Sequence, residues 1–220
     1  MIARQLISNE ILPLKTSDSA RQALAWMEEY KVAHLPIVNN EELLGLISEQ
    51  DIFQLNNLDE VVGNHPLSLI KARVNEHQHI YDVMKLIAAP RLTLIPVVDE
   101  KERYQGSITL ISLLEFLSST FSVENPGGVI VLEMSENDYN LTEIANIVES
   151  NNAKILSTFL MNHIDSTKLE LCLKVNKLEI GNILQTFDRY GYLVKASFGI
   201  DDQEEDLKER YDSLMNFLNI

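Results

Sequence analysis

Leu35-Pro36-Ile37-Val38 and Leu44-Gly45-Leu46-Ile47-Ser48-Glu49-Gln50-Asp51 decide how this chain is read. Two short apolar runs flank a polar turn, the signature of a β-hairpin, and the second run opens into a helix whose first turn carries a hydroxyl and a carboxylate. The pattern returns as Ile95-Pro96-Val97-Val98 and Gln105-Gly106-Ser107-Ile108-Thr109-Leu110-Ile111-Ser112. Pro36 to Pro96 spans 60 positions and Gly45 to Gly106 spans 61, so the repeat holds register with one residue inserted in the turn. A duplicated unit of this kind exists because one copy cannot bury its apolar face alone.

Each hairpin is preceded by a short strand and an amphipathic helix. In the first copy Ile11-Leu12-Pro13-Leu14 reads as the strand and Ser17 or Asp18 as the helix cap. Ala20, Ala23, Leu24 and Met27 form a helical stripe with Trp26 beside it as a packing or dimer-surface residue, and a further helix is expected from about Glu49 to Leu58. Asp59 to Leu67, containing Gly63 and Pro66, joins the copies. In the second copy Leu69 to Val74 reads as the strand, and Ile80, Val83, Met84 and Ile87 as the helix stripe, stopped by Pro90. Thr93 to Val98 and Gln105 to Thr109 make the hairpin, and Ile111 to Leu117 the closing helix.

Over roughly residues 1 to 120 the chain resembles the CBS domain family, whose members carry tandem β-α-β-β-α repeats. In that family a hydroxyl-x-x-Asp at the end of the third strand holds the ribose of an adenine nucleotide. Ser48-Glu49-Gln50-Asp51 matches the pattern in full, whereas Thr109 keeps the hydroxyl but Ser112 stands where the Asp should be. The resemblance implies a ligand-binding set of Asp51, Ser48, Ile37, Val38, Pro36 and His34 with Thr109 from the second copy. The ligand it implies is AMP, ADP, ATP, S-adenosylmethionine or a related nucleoside.

The residue types suit that chemistry. One ionised carboxylate accepts from both hydroxyls of a ribose diol, and charge-assisted bonds are the stronger ones. With Ser48 at the N-cap, the following amides and the helix dipole would favour a phosphate, while backbone groups of Ile37 and Val38 and walls from Leu12, Leu46 and Ile47 would surround the base. The same residues also support a reading without ligand, in which Ser48 and Asp51 form a capping box. For Thr109 and Ser112 the structural reading is favoured. Lys31 and Arg91, each five residues before a strand proline, read as solvated cations or phosphate contacts; His34 reads as a base contact or a satisfied interior histidine.

A composition break at Ser118 to Gly128 separates a third region. Strands at Val129–Met134, Lys154–Met161, Leu169–Val175 and Tyr192–Phe198 alternate with helical stripes at Leu141–Val148 and Leu178–Arg189, the βαββαβ order of ferredoxin-like folds. This region resembles an ACT domain, a ligand-sensing module of amino-acid metabolism, through its element order and the Leu141-x-x-Ile144-Ala145 helix start. That family places a Gly at the strand-to-helix turn where this chain has Asn137-Asp138-Tyr139-Asn140. A pair of CBS repeats followed by such a unit is similar to the acetoin-utilisation regulatory proteins. The expected division is thus repeat 1 at 1–62, repeat 2 at 63–122, a linker at 123–127, the ACT-like domain at 128–200 and an acidic tail at 201–220. Leu207, Tyr211, Leu214, Met215 and Leu218 fall at helical spacing in that tail.

The formal net charge of −15 over 220 residues argues against a surface that neutralises nucleic-acid phosphates or lies on anionic lipid. No run approaches the ~18 apolar residues of a membrane span, and the N-terminus lacks the apolar core of a signal peptide, so a cytoplasmic location is expected. The single cysteine, Cys172, reads as a strand residue, and His77 and His79 without a third ligand make a poor metal site. No nucleophile elbow, phosphate loop or metalloprotease motif is present, so neither catalysis nor a cofactor is expected. The reading is a regulatory, ligand-sensing homodimer acting on an unidentified protein; the alternative is a dimerisation scaffold with vestigial clefts.

Overall fold

The computed structural model describes residues 1–8, 10–64, 69–88, 91–162 and 168–199. The chain divides into two compact units, Met1–Phe116 and Leu117–Ile220.

In the first unit, repeat 1 contains α1 (Ala20–Tyr30), β1 (His34–Asn39), β2 (Glu42–Ser48) and α2 (Glu49–Phe53). Repeat 2 contains β3 (Val74–Asn75), α3 (Ile80–Ala88), β4 (Leu94–Val98), β5 (Tyr104–Thr109) and α4 (Leu110–Thr120), the last running past Phe116. The duplication extends to irregular backbone. Each hairpin carries a register shift at the same place, between Ile37 and Val38 and between Val97 and Val98. Lys31 and Arg91, which follow α1 and α3, both take a left-handed φ of 54°.

Several local expectations shift. Ser19, not Ser17 or Asp18, caps α1 by accepting from the Gln22 amide, because Asp18 instead accepts from the Lys15 amide at 2.8 Å. The strand expected at Ile11–Leu14 reduces to one parallel bridge between Leu14 and Ile37, while its counterpart in repeat 2 is the two-residue β3 beside β4. The helix expected to reach Leu58 ends at Phe53, with Gln54 as its C-cap. Pro66 and Pro90 lie outside the described residues.

The two repeats exchange their leading segments. Ser8 bridges Ser107 on β5 of repeat 2, and Ile70 bridges Leu46 on β2 of repeat 1, each pair antiparallel. Leu46 and Ile70 trade both amide–carbonyl bonds, at 2.9 and 3.1 Å. The exchange continues at the ends: Ile2 bridges His79 and Val61 bridges Ser19, again at matching places. Gly45 is required at this crossing. Its φ is +151°, and a Cβ there would stand 2.8 Å from the Leu69 Cβ. The repeat 1 core joins Leu14, Ala23, Met27, Leu35, Ile37, Leu46, Ile47 and Ile52 with Leu92 and Leu94 of repeat 2, so the two copies share one interior. Trp26 packs against it from the rim.

The second unit is a four-stranded antiparallel sheet of β6 (Val129–Ser135), β7 (Ile155–Asn162), β8 (Lys168–Val175) and β9 (Leu193–Phe198) in the order β7-β8-β6-β9. With α5 (Leu141–Ser150) and α6 (Gly181–Arg189) inserted after β6 and β8, this is the expected ferredoxin-like arrangement. Alternation puts Ile130, Leu132 and Met134 of β6 and Leu169, Leu171, Leu173 and Val175 of β8 on one face. There they bury Ile144, Ile147 and Val148 of α5 and Ile183 and Phe187 of α6. Cys172 is a buried residue of β8, as its sequence context implies. The tail at 201–220 lies outside the described residues.

Candidate functional site

The Ser48–Asp51 stretch closes a capping box at the start of α2. Asp51 Oδ2 accepts from the Ser48 amide at 2.9 Å and from the Ser48 hydroxyl at 2.7 Å, while Ser48 Oγ accepts from the Asp51 amide at 3.1 Å. One carboxylate oxygen is therefore held by its own turn. The other, Oδ1, has no hydrogen-bond partner among the described residues. Asp51 is half-buried, so that free oxygen is oriented rather than freely rotating.

Repeat 2 builds the same turn without a carboxylate. Ser112 Oγ accepts from the Thr109 amide at 3.0 Å and from the Thr109 hydroxyl at 3.1 Å, and Thr109 Oγ1 accepts from the Ser112 amide at 3.0 Å. The Ser112 hydroxyl donates back to the Thr109 carbonyl. Every group in this box is engaged internally.

The expected phosphate position at the head of α2 is not supported by its geometry. The Glu49 amide donates to the Ala33 carbonyl at 2.9 Å and the Asp51 amide to Ser48. Five residues of helix supply little dipole. Along β1, the Val38 amide donates to the Leu14 carbonyl and the Pro36 carbonyl accepts from the Leu14 amide, both at 2.8 Å. Ile37 is 2% exposed with its side chain in the core, as are Leu46 and Ile47, while Leu12 is exposed. Pro36 is buried and Val38 half-buried. Lys31 and Arg91 are exposed.

His34 is the expected residue with the most informative surroundings. It is half-buried, its Nδ1 lies 3.0 Å from Thr93 Oγ1, and the Thr93 amide points at the same nitrogen from 3.4 Å. Thr93 Oγ1 also accepts from the Ala33 amide at 3.0 Å. Burial pulls the His34 pKa below its ordinary value, and the negative charge of Asp51 acts in the opposite direction. Imidazole and carboxylate are thus within electrostatic reach of one another. Thr93 is a residue that sequence reading did not single out. The available signal was a hydroxyl at the position where repeat 1 has Ala33. The position equivalent to His34 in repeat 2 is the fully buried Leu94, so the copies differ at both polar positions.

His77 pairs with Glu76 at 3.7 Å and His79 stacks edge-on with Tyr81, and no metal-binding cluster occurs among the described residues. In the second unit a cleft of about 570 Å³ is lined by the Asn137–Asp138 turn and Asn140 together with Glu133, Glu143 and Tyr192. The Tyr192 hydroxyl donates to Glu143 Oε2 at 2.7 Å. This turn forms a 3₁₀ segment at Glu136–Asp138 and ends in Asn140, which caps α5. Among the described residues no helix is long and apolar enough to cross a membrane.

The CBS domain model matches residues 3–56 and 71–119. Inosine-5'-monophosphate dehydrogenase of Methanocaldococcus jannaschii is 26% identical over 117 residues, which are 51% of this chain and 23% of the dehydrogenase. The chain thus spans less than a quarter of that relative. Among solved structures, a CBS domain pair/ACT domain protein from Thermotoga maritima is 25% identical with a TM-score of 0.49, covering 54% of this chain and 98% of that one. CBSX2, solved in complex with AMP, is 21% identical with a TM-score of 0.47, covering 54% and 96%.

Proposed function

We propose, for a chain whose N-terminal half is a tandem CBS pair followed by a ferredoxin-like unit, that the pair is a regulatory sensor of an adenine nucleotide or nucleoside. The observation that carries this reading is the free Oδ1 of Asp51, an acceptor fixed in direction by the box that Oδ2 completes. A vicinal diol supplies the two donors such an oxygen lacks, and a charge-assisted pair of bonds gives the ribose its hold. The residues engaged are Asp51 and His34, with Ser48 orienting the carboxylate; Pro36, Ile37 and Val38 shape the strand behind them, and Thr109 belongs to a second cleft without a carboxylate. The protein acts as a homodimer, without catalysis, and passes occupancy to a regulated partner. Signalling requires the ligand to bind two arrangements of the module unequally.

A thermal melt against AMP, ADP, ATP and S-adenosylmethionine tests this. Ligand at about 100 times its dissociation constant adds about 2.7 kcal/mol, a rise of roughly 5–10 °C for a chain of this size. Asp51→Asn, which keeps an acceptor for the cap and removes the charge, should abolish the rise. A flat response in the parent protein to all four would favour the scaffold, in which the Ser48–Asp51 box is only a helix cap.

A further inference from the structure

The cluster at Ala33, His34 and Thr93 contains more donors than a casual assignment of protons allows. The amides of Ala33 and Thr93 both donate into it, and the threonine hydroxyl carries a third proton. Thr93 Oγ1 receives the Ala33 amide. The Thr93 amide points at His34 Nδ1, which must then be an acceptor, since a proton on Nδ1 would face that N–H head-on. A bare Nδ1 shares its single in-plane lone pair between the Thr93 hydroxyl at 3.0 Å and the Thr93 amide at 3.4 Å, so no donor of the cluster faces another proton. A neutral imidazole with a bare Nδ1 carries its proton on Nε2. Burial, which holds the ring pKa below its ordinary value, agrees with a neutral ring.

His34 Nε2 has no hydrogen-bond partner among the described residues. The half-buried ring therefore presents an N–H without an acceptor, in electrostatic reach of Asp51, whose Oδ1 lacks a donor. A half-buried pair consisting of one unmatched donor and one unmatched acceptor is completed by a ligand that brings the opposite of each. Thr93 belongs to repeat 2 and His34 and Asp51 to repeat 1, so the second copy sets which proton the first copy offers.

We propose that Thr93 is a positioning residue that locks His34 in its Nε2–H form, making this site take a ribonucleoside with a hydrogen-bond acceptor reaching His34 and a diol reaching Asp51. This rests on the sensor reading above for the identity of the ligand, but not for the tautomer. The acceptor is either a phosphate oxygen or a base nitrogen, and adenosine and AMP separate the two.

Two measurements on the full chain decide the matter. Long-range ¹H–¹⁵N spectra of the ligand-free protein, with His34→Gln identifying the ring among five histidines, should show a bare Nδ1 and a protonated Nε2. Thr93→Val should move that signal toward a mixture and Thr93→Ser should restore it. Calorimetric titration should then give an affinity about tenfold weaker in Thr93→Val and near the parent value in Thr93→Ser. Weakening for AMP alone identifies the phosphate as acceptor, and equal weakening for adenosine and AMP identifies the base. A protonated Nδ1 in the parent protein, or a tautomer unchanged by Thr93→Val, overturns the proposal. If neither adenosine nor AMP binds the parent protein, the sensor reading fails, while the spectra still decide the role of Thr93.

Discussion

Asp51 Oδ2 and Ser112 Oγ accept the same pair of hydrogen bonds in the two repeats, from the amide and hydroxyl of Ser48 at 2.9 and 2.7 Å and from those of Thr109 at 3.0 and 3.1 Å. The helix cap is conserved in geometry between the copies while the negative charge and the spare oxygen exist only in the first. A serine at position 112 thus preserves the turn and withholds the group that could grip a diol.

From this asymmetry, one adenine ligand should bind per chain. Titration calorimetry of the parent protein should give a stoichiometry near one, and Asp51→Ser should lower it to none while leaving the fold intact, since Ser112 shows that serine closes the box. A stoichiometry of two would mean that the carboxylate is dispensable.

Removing the cap itself has a separate cost. Ser48→Ala deletes the acceptor for the Asp51 amide and one donor to Oδ2, and losing an N-cap hydroxyl costs about 1 kcal/mol. Chemical denaturation should place Ser48→Ala about that far below the parent protein without ligand.

Backbone geometry separates two glycines. At Gly45 a side chain would meet both a φ of +151° and the Leu69 Cβ at 2.8 Å, where the leading segment of repeat 2 crosses onto β2. Gly191 has a φ of +80° and nothing within 4 Å of an added Cβ. Gly45→Ala should therefore destabilise by roughly 2–4 kcal/mol, combining strain with overpacking, and Gly191→Ala by about 1 kcal/mol from strain alone. Equal losses in urea melts would contradict the crossing contact.

Asp99 sets an acid limit on the first unit. The Arg103 amide, the largest influence, holds the Asp99 carboxyl below its ordinary value of 3.8; burial, next in size, opposes it, and the Arg103 side chain and the Lys101 amide add to the lowering. The folded state thus binds its proton less readily than the unfolded chain. The resulting stability is complete well above pH 3.8 and drains away as pH falls through that value toward the lower folded pKa. Asp99→Asn should flatten the fall in urea stability between pH 5 and pH 3, and an unchanged slope would remove Asp99 from the account.

Phe187 anchors the second unit. It is fully buried between α6 and the sheet and meets the Tyr192 ring edge-to-face at 5.7 Å. Phe187→Ala should cost about 3–5 kcal/mol, read as loss of the unfolding transition that belongs to residues 117–199.

Much of the architecture was legible because apolar period and turn chemistry are local. The duplicated hairpin, with Pro36 and Pro96 and Gly45 and Gly106 in register, announced two repeats, and alternation in Val129–Met134 and Leu169–Val175 announced a sheet covered on one face. The end of α2 was less legible: the helix expected to reach Leu58 stops at Phe53, yet Leu55 and Leu58 still pack against the repeat 1 core from beyond it. An apolar residue reports that it is buried, not by which backbone path it arrives.

By itself, the sequence determined the number of repeats, the class of both units and the difference between Asp51 in the first copy and Ser112 in the second. Tertiary structure alone decided that Ser8 and Ile70 pair with the opposite repeat, that Asp51 keeps one oxygen free while the other closes its own turn, and that Thr93 of repeat 2 stands against His34 Nδ1. The physical reason is common to all three. Strand edges and side-chain hydrogen bonds are satisfied by whichever partner the folded chain brings within about 3 Å, and the sequence carries no mark of which partner that is, whether it lies 99 positions away as Ser107 does from Ser8, 24 as Ile70 does from Leu46, or 59 as Thr93 does from His34.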